Sequence, residues 1–129
     1  MVTSKHVICW FEIPATDIER ASKFYGTVLG KTLQSMEFGT DCKMSIFQSG
    51  AKEGEDIVHG AIAQGKDYKP GATGPLVYFA AGEDLAPALA RVEKAGGKIL
   101  QPKTPIGPYG FMAIIKDTEG NRVALHSRK

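Results

Sequence analysis

The segment Gly30-Lys31-Thr32-Leu33-Gln34 decides the fold, because it returns later in the chain as Gly97-Lys98-Ile99-Leu100-Gln101. Four of the five positions are identical at an offset of 67 residues, and at the same offset Asp17 aligns with Asp84. A repeat of this length indicates that one supersecondary unit is used twice. We therefore read the rest of the chain as two copies of one pattern.

The first copy predicts a strand, a helix and three further strands. A bulky apolar run over residues 6–13 is typical of a strand, and Pro14 ends it. Thr16-Asp17-Ile18-Glu19 has the form of a capping box, in which the Thr16 hydroxyl accepts from the amide of Glu19, and it predicts a helix from about Asp17. Gly30 is a natural helix stop. The later strands are expected at 31–38, 42–48 and 57–63.

The second copy follows a segment, 64–75, whose Gly, Lys and Pro content predicts a linker. We expect a strand at 76–81, a helix at 84–95 and strands at 98–101, 109–116 and 122–127. One copy is too small to bury its own core. The sequence therefore predicts a single α+β domain over 1–129, with βαβββ module one at about 6–63 and module two at about 76–127. The eight strands are expected to form one curved mixed sheet, with the helices on its outer face and a cleft on its inner face.

Composition excludes several classes of partner. The 16 basic and 14 acidic side chains are interspersed and leave a net charge of +2, so we expect no nucleic-acid partner. The chain has no run of about 18 apolar residues, so we expect no membrane span. Residues 1–7 lack the apolar core of a secretory signal, and we expect a cytoplasmic location. Cys9 and Cys42 are expected to be reduced, buried thiols.

Two motifs carry a resemblance to a known family. The run from Phe11 to Asp17, Phe-Glu-Ile-Pro-Ala-Thr-Asp, followed by Phe24-Tyr25 and Leu29-Gly30, is similar to the opening of a module in the glyoxalase/bleomycin-resistance (vicinal oxygen chelate) superfamily. Asp117-Thr118-Glu119-Gly120-Asn121 resembles its D-P-x-G-N hairpin. The resemblance spans about residues 6–127. It implies paired modules around a cup, in which the superfamily's enzymes hold a divalent metal on His, Glu or Gln side chains.

The resemblance also places the superfamily's four metal-ligand positions on this sequence. They fall on Trp10, near His59, at about Val77 and on Ala124. Trp, Val and Ala offer no lone pair that a hard or borderline cation uses, and one His does not hold a metal against water. We therefore expect the ordinary metal site to be absent and no cofactor to be bound.

Strand parity leaves two alternatives open. Glu12 lies two residues from Trp10, and His126 two residues from Ala124, so both are expected to face the cleft. Together with His59 they have the composition of a two-His, one-carboxylate site, the only set through which we expect a divalent metal. Without a metal, Glu12 and His126 are candidate catalytic residues, an acid and a base for proton transfer next to a carbonyl. The plainer interpretation is a structural hydrogen bond at the cleft floor.

Aromatic side chains are candidates for the lining of the cleft. Trp10 is the single Trp and is expected to stack on a flat ligand. Phe11 and Ile13 have the opposite parity and are expected to pack on the helices. Some of the aromatic residues are alternatively part of the core. The candidate ligand-binding residues are Trp10, Phe47, His59, Val77, Phe79, Phe111 and Ala124.

Taken together, these features predict a glyoxalase-like protein that binds a small, flat or oxygenated metabolite in an aromatic-lined cleft. One hypothesis is a lyase or isomerase of the glyoxalase type. The alternative is a protein that binds or sequesters a small molecule without turnover, as bleomycin-resistance proteins do. A third interpretation is a subunit of a larger assembly. We expect a homodimer, since superfamily members commonly pair modules across a two-fold axis and such closed pairs are the commonest assembly.

Overall fold

A computed structural model describes residues 5–129 of the chain, and within them it contains eight strands and two α-helices. The first module consists of β1 (Trp10–Pro14), α1 (Ile18–Leu29), β2 (Leu33–Phe38), β3 (Cys42–Phe47) and β4 (His59–Gly65). The second consists of β5 (Tyr78–Ala80), α2 (Ala86–Val92), β6 (Lys98–Pro105), β7 (Phe111–Lys116) and β8 (Arg122–Ser127). A 3₁₀ turn at Gly107–Tyr109 precedes β7. The α+β class and the two βαβββ modules are confirmed.

The strands lie in two four-stranded mixed sheets of matching topology. Their orders are β1-β4-β3-β2 and β5-β8-β7-β6. In each module the first strand runs parallel to the last, and the other neighbours are antiparallel. The expected single sheet of eight strands is thus divided in two. Within residues 5–129, β1 and β5 share no backbone ladder, because they meet through the side chains of Phe11 and Phe79, whose ring centroids are 5.6 Å apart.

One hydrophobic core joins both modules. At its centre are four rings, each from a different element: Phe11 of β1, Tyr25 of α1, Phe47 of β3 and Phe79 of β5. Tyr25 lies 5.3 Å from Phe79 and 5.9 Å from Phe47 between ring centroids. Such aromatic pairs contribute about 0.5–1.5 kcal/mol each beyond their buried area. The cluster therefore fastens the two sheets and α1 into one body.

Several element boundaries differ from the predictions. Strand β1 begins at Trp10 rather than at residue 6, and β6 extends to Pro105, with register shifts along its pairing with β7. Cys9 precedes β1 and is exposed, so its predicted burial in a strand is wrong, whereas Cys42 is partly buried. Helix α1 ends as expected, at Gly30 with φ of 66°. Neither helix described between residues 5 and 129 is long and apolar enough to cross a membrane.

Helix α1 begins differently from the predicted capping box. Its N-cap is Asp17, whose carboxylate accepts from the amide of Arg20. The Thr16 hydroxyl donates instead to Glu119 Oε1 at 3.0 Å, and the amides of Thr16 and Asp17 donate to the same oxygen at 2.9 Å each. An ionised carboxylate at a helix N-terminus is a stronger acceptor than a neutral hydroxyl. A residue of the second module therefore completes the cap of the first module's helix.

The turn between β7 and β8 ties three elements together. Buried Asp117 accepts from the amides of Glu119 and Asn121 at 2.8 Å each, and its other oxygen accepts from Tyr25 Oη at 2.6 Å. Asn121 Nδ2 donates to the Pro14 carbonyl at 2.7 Å. Burial and the nearby Asp117 carboxylate raise the pKa of Tyr25 well above its ordinary value, so its hydroxyl remains a donor. The turn thus fixes α1 and β1 against β8.

Glu119 is the charged part of this arrangement. Arg20 Nε lies 2.7 Å from Glu119 Oε2, and the Glu119 side chain is fully buried. Burial alone would raise the pKa of Glu119, but the hydrogen bonds from Arg20, the Asp17 amide and Thr16 lower it to about 2. Because this pKa lies below the ordinary value of 4.5, ionised Glu119 stabilises the fold at neutral pH.

We expect Glu119→Gln to lower the free energy of unfolding by about 2 kcal/mol at neutral pH, since a neutral amide replaces a carboxylate that accepts charge-assisted bonds. The contribution of ionised Glu119 is complete above its ordinary pKa of 4.5 and is lost as the pH falls toward 2. Urea unfolding at neutral pH and at a pH of about 2.5 measures the difference, which should shrink in acid. Glu19→Gln, an exposed first-turn change on the same helix, is the control and should cost less than about 0.5 kcal/mol. An equal loss from Glu119→Gln at both pH values would contradict this role.

Candidate functional site

The positions that the resemblance assigned to metal ligands lie on the two parallel strand pairs, β1 with β4 and β5 with β8. Trp10 of β1 pairs with His59 of β4, and Tyr78 of β5 pairs with Ala124 of β8. Trp10 and Tyr78 are 40% and 49% exposed, and Ala124 is fully buried. The matching registers of the two parallel pairs make Trp10 equivalent to Tyr78, and His59 equivalent to Ala124.

The residue in register with Trp10 is therefore Tyr78, one position after the predicted Val77. Val77 shares the parity of Phe79 and packs against the core, whereas Tyr78 occupies the open face. Asp17 and Asp84, which open the two helices, are 67 residues apart. In the first strand of each module the equivalent residues are 68 apart, as Phe11 and Phe79 are. A shift of one residue in a strand moves a side chain to the opposite face.

Three of the predicted ligand-binding residues come together in one cavity. It has a volume of about 330 Å³ and lies where β1 and β4 approach β5. We call it the aromatic pocket and define it by Phe11, Phe47, His59, Tyr78 and Phe79. Phe47 and Phe79 line it from the core side and not from the open face, where they were predicted, because they alternate with the open-face residues of their strands. The volume is at the lower end of the range for small-molecule sites.

Gly60 shapes the wall of the aromatic pocket, a role that no pattern in the sequence predicts. A Cβ added at Gly60 would overlap the Phe11 ring, which covers this glycine. The missing side chain thus allows Phe11 to lie flat over β4 and to contact Phe47 and Phe79, at centroid distances of 5.8 and 5.6 Å. Gly60 and Phe11 are paired positions of β4 and β1, so the contact lies within the sheet.

Glu12 is held by two neighbours on the open face. Trp10 Nε1 donates to Glu12 Oε2 at 3.0 Å, and Tyr68 Oη donates to Glu12 Oε1 at 2.9 Å. The hydrogen bond to Glu12 raises the pKa of Tyr68, which therefore keeps its proton at neutral pH. The hydrogen bond from Nε1 orients the Trp10 indole, whose ring stays partly exposed and accessible for stacking. Tyr68 was missed by the sequence analysis because it lies in the segment read as a linker.

His126 and Phe111 lie away from both Glu12 and the aromatic pocket. His126 Nε2 is 2.6 Å from the Tyr109 carbonyl, and it lines cavities with Arg128. Phe111 is partly buried against the core, with Lys103 Nζ 4.7 Å from its ring centroid. Glu12 and His126 line different cavities, and no hydrogen bond joins them in the described part of the chain. The geometry does not bring the predicted acid and base together.

A metal of the superfamily's kind does not fit the side chains at its usual positions. Those positions hold an indole, an imidazole, a phenol and a methyl group, from Trp10, His59, Tyr78 and Ala124. The alternative set of Glu12, His59 and His126 is spread over separate cavities. Across residues 5–129, no three His, Cys, Asp or Glu side chains lie close enough together to hold a metal ion. The donor set suits hydrogen bonding and stacking better than chelation.

Comparison with known proteins agrees with this fold. A family model described as bleomycin resistance protein-like N-terminal matches residues 8–46. A glyoxylase-like domain-containing protein from Didymella fabae is 34% identical over 125 residues, which cover 94% of this chain and 93% of that protein. This chain belongs to the glyoxalase/bleomycin-resistance (vicinal oxygen chelate) superfamily.

Solved structures of superfamily members show the same architecture. Glyoxalase I from Zea mays superposes with a TM-score of 0.70 at 22% identity over 93% of this chain, which spans only 45% of the maize protein. TnmS3, an antibiotic binding protein from a Streptomyces species, superposes with a TM-score of 0.66 at 23% identity over 99% of this chain and 100% of its own. At these identities the similarity establishes the fold alone.

We expect Gly60→Ala to destabilise the fold by about 1–3 kcal/mol, because the new methyl group displaces the Phe11 ring from the wall of the aromatic pocket. Thermal unfolding and the near-ultraviolet circular dichroism of the aromatic cluster report both effects. Gly71→Ala is the matched control, since a Cβ there meets no atom within 4 Å. An unchanged Phe11 environment in Gly60→Ala would contradict this role of Gly60.

Proposed function

We propose that this superfamily member binds a small planar molecule in the aromatic pocket without chelating it through a metal. The observation that carries the proposal is the meeting of Phe11, Phe47, Phe79, Tyr78 and His59 around one open cavity. Stacking and edge-to-face contacts with such rings favour flat, unsaturated ligands.

The rim of the aromatic pocket indicates the polarity of the ligand. The exposed groups are the His59 imidazole, the Tyr78 phenol and the Lys31 ammonium, all of which line the cavity. Each of these side chains can donate a hydrogen bond, so they suit oxygen atoms at the edge of a flat ring. The proposed ligand class is therefore an aromatic or quinone-like molecule with oxygen substituents at one edge.

The comparisons are compatible with both binding and turnover, since the same fold occurs in glyoxalase I from Zea mays and in TnmS3, which is described as an antibiotic binding protein. The choice between the two therefore depends on the residues of the site. The alternative, a lyase or isomerase, depended on Glu12 and His126, which line different cavities. We therefore favour a protein that binds or sequesters its ligand.

Binding of planar probes tests this function. We expect 2-naphthol or coumarin to bind saturably in isothermal titration calorimetry and to be recovered unchanged. Tyr78→Ala should weaken the affinity by about tenfold, which corresponds to about 1.4 kcal/mol. Tyr109→Ala is the control, because Tyr109 is 75% exposed and lies outside the aromatic pocket. Equal loss in both variants, no binding by any planar probe, or binding that a metal chelator abolishes would contradict the proposal.

We also propose a homodimer, which is supported by apolar side chains on the open face of the β2–β3 hairpin. Met36 and Phe38 are 44% and 47% exposed on a strand at the edge of its sheet. Burying them against a second copy would remove apolar surface from water. Sedimentation equilibrium should give about twice the chain mass of 13.9 kDa. Phe38→Ser should shift the protein toward monomer, and a wild-type protein that is monomeric throughout would refute the dimer.

A further inference from the structure

We propose that this chain has a second binding site, for a small organic acid, in a cavity that shares no residue with the aromatic pocket. This cavity has a volume of about 400 Å³ and lies between the end of β1, the segment before β5 and the start of β8. We call it the linker pocket. The residues that line it include Glu12, Lys69, Gly71, Gly74, Asn121 and Arg122.

One wall of the linker pocket is held in place by hydrogen bonds of Asn121. Asn121 Oδ1 accepts from the Gly71 amide at 3.1 Å. Asn121 itself is buried and held by Asp117 and by the Pro14 carbonyl. A Cβ at Gly71 or Gly74 would meet open space, and Gly74 has a φ of +97° that favours glycine. The glycine-rich segment is thus anchored at one end and leaves room beside its backbone.

The charges of the linker pocket favour an anion. Lys69 and Arg122 both line it, and within residues 5–129 neither side chain forms an ion pair or a hydrogen bond. Glu12 is the carboxylate that lines the cavity, and each of its oxygens already accepts a hydrogen bond, from Trp10 and from Tyr68. The two cations therefore outnumber the one carboxylate, and the cavity has a net charge of +1 from its charged side chains.

Arg122 gives the site its chemical preference. It is partly buried at the start of β8, where its charge is screened less than that of a fully exposed residue. A planar guanidinium matches a carboxylate through two parallel hydrogen bonds, and Lys69 adds a second positive charge without that geometry. The inferred ligand is consequently a small carboxylic acid, with Arg122 as the main anchor and Lys69 as the secondary one.

Titration of the ¹⁵N-labelled full chain with succinate, at constant ionic strength, tests the proposal. We expect saturable shifts that are largest at the amides of Gly71 and Gly74. Arg122→Gln should weaken the apparent affinity by about tenfold, because it removes a charge-assisted pair. Lys69→Gln, an exposed loop change that should not disturb folding, is expected to weaken it by a smaller factor. Lys98→Gln removes the same charge outside the cavity and is the matched control.

Three results would overturn the proposal. The first is shifts that do not saturate, and the second is equal binding of succinamide, which has the same shape without charge. The third is that the Arg122→Gln and Lys69→Gln variants bind succinate with the same affinity as the Lys98→Gln control. Tyr78→Ala should leave succinate binding unchanged, so the test of this site is separate from the test of the aromatic pocket.

Discussion

The buried carboxylate of Asp117 is the constraint on which the rest of the structure depends. It accepts four hydrogen bonds, from Tyr25, from the Asn121 side chain and from the amides of Glu119 and Asn121. A buried carboxylate without such partners costs several kcal/mol, so these four bonds stabilise the observed geometry of the turn. That geometry delivers Glu119 to the start of α1 and leaves the Asn121 amide facing the first module. The second module thus fixes the first through polar contacts as well as through the core.

Both cavities follow from this packing, and β1 contributes to each of them. Phe11 points into the core and forms a wall of the aromatic pocket, while Glu12, the next residue, borders the linker pocket. Ile13 and Pro14 line the linker pocket together with Glu12, so the two ends of one short strand contribute to two separate cavities. Asn121 then closes the linker pocket from the second module by holding Gly71. The pockets are consequences of how the modules meet and belong to neither module alone.

The sequence could predict those features that depend on local pattern and on repetition. The repeat predicted both modules, Gly30 predicted the end of α1, and each of the eight strands was predicted at approximately its observed position. The true cap of α1 was missed, because its acceptor, Glu119, is 103 residues from Thr16 and the local Thr-Asp-Ile-Glu pattern looked sufficient. Val77 was assigned to the open face because the repeat changes its offset between strand and helix. The roles of Gly60 and Tyr68 depend on contacts that only the assembled sheets create.

In this fold, the positions that the resemblance assigns to metal ligands are separate from the positions that hold the sheets together. Their side chains lie on or beside the open face, whereas the core face of the same strands is filled by Phe11 and Phe79. The side chains of Trp10 and Tyr78 therefore determine the chemistry of the open face without contributing to the packing that holds the sheets together. Glu12 accepts a hydrogen bond at each of its oxygens, from Trp10 and from Tyr68, and so orients the indole on the open face. Under the proposed function, selectivity comes from the shape of the ligand's ring and from the hydrogen-bond donors at the rim of the aromatic pocket.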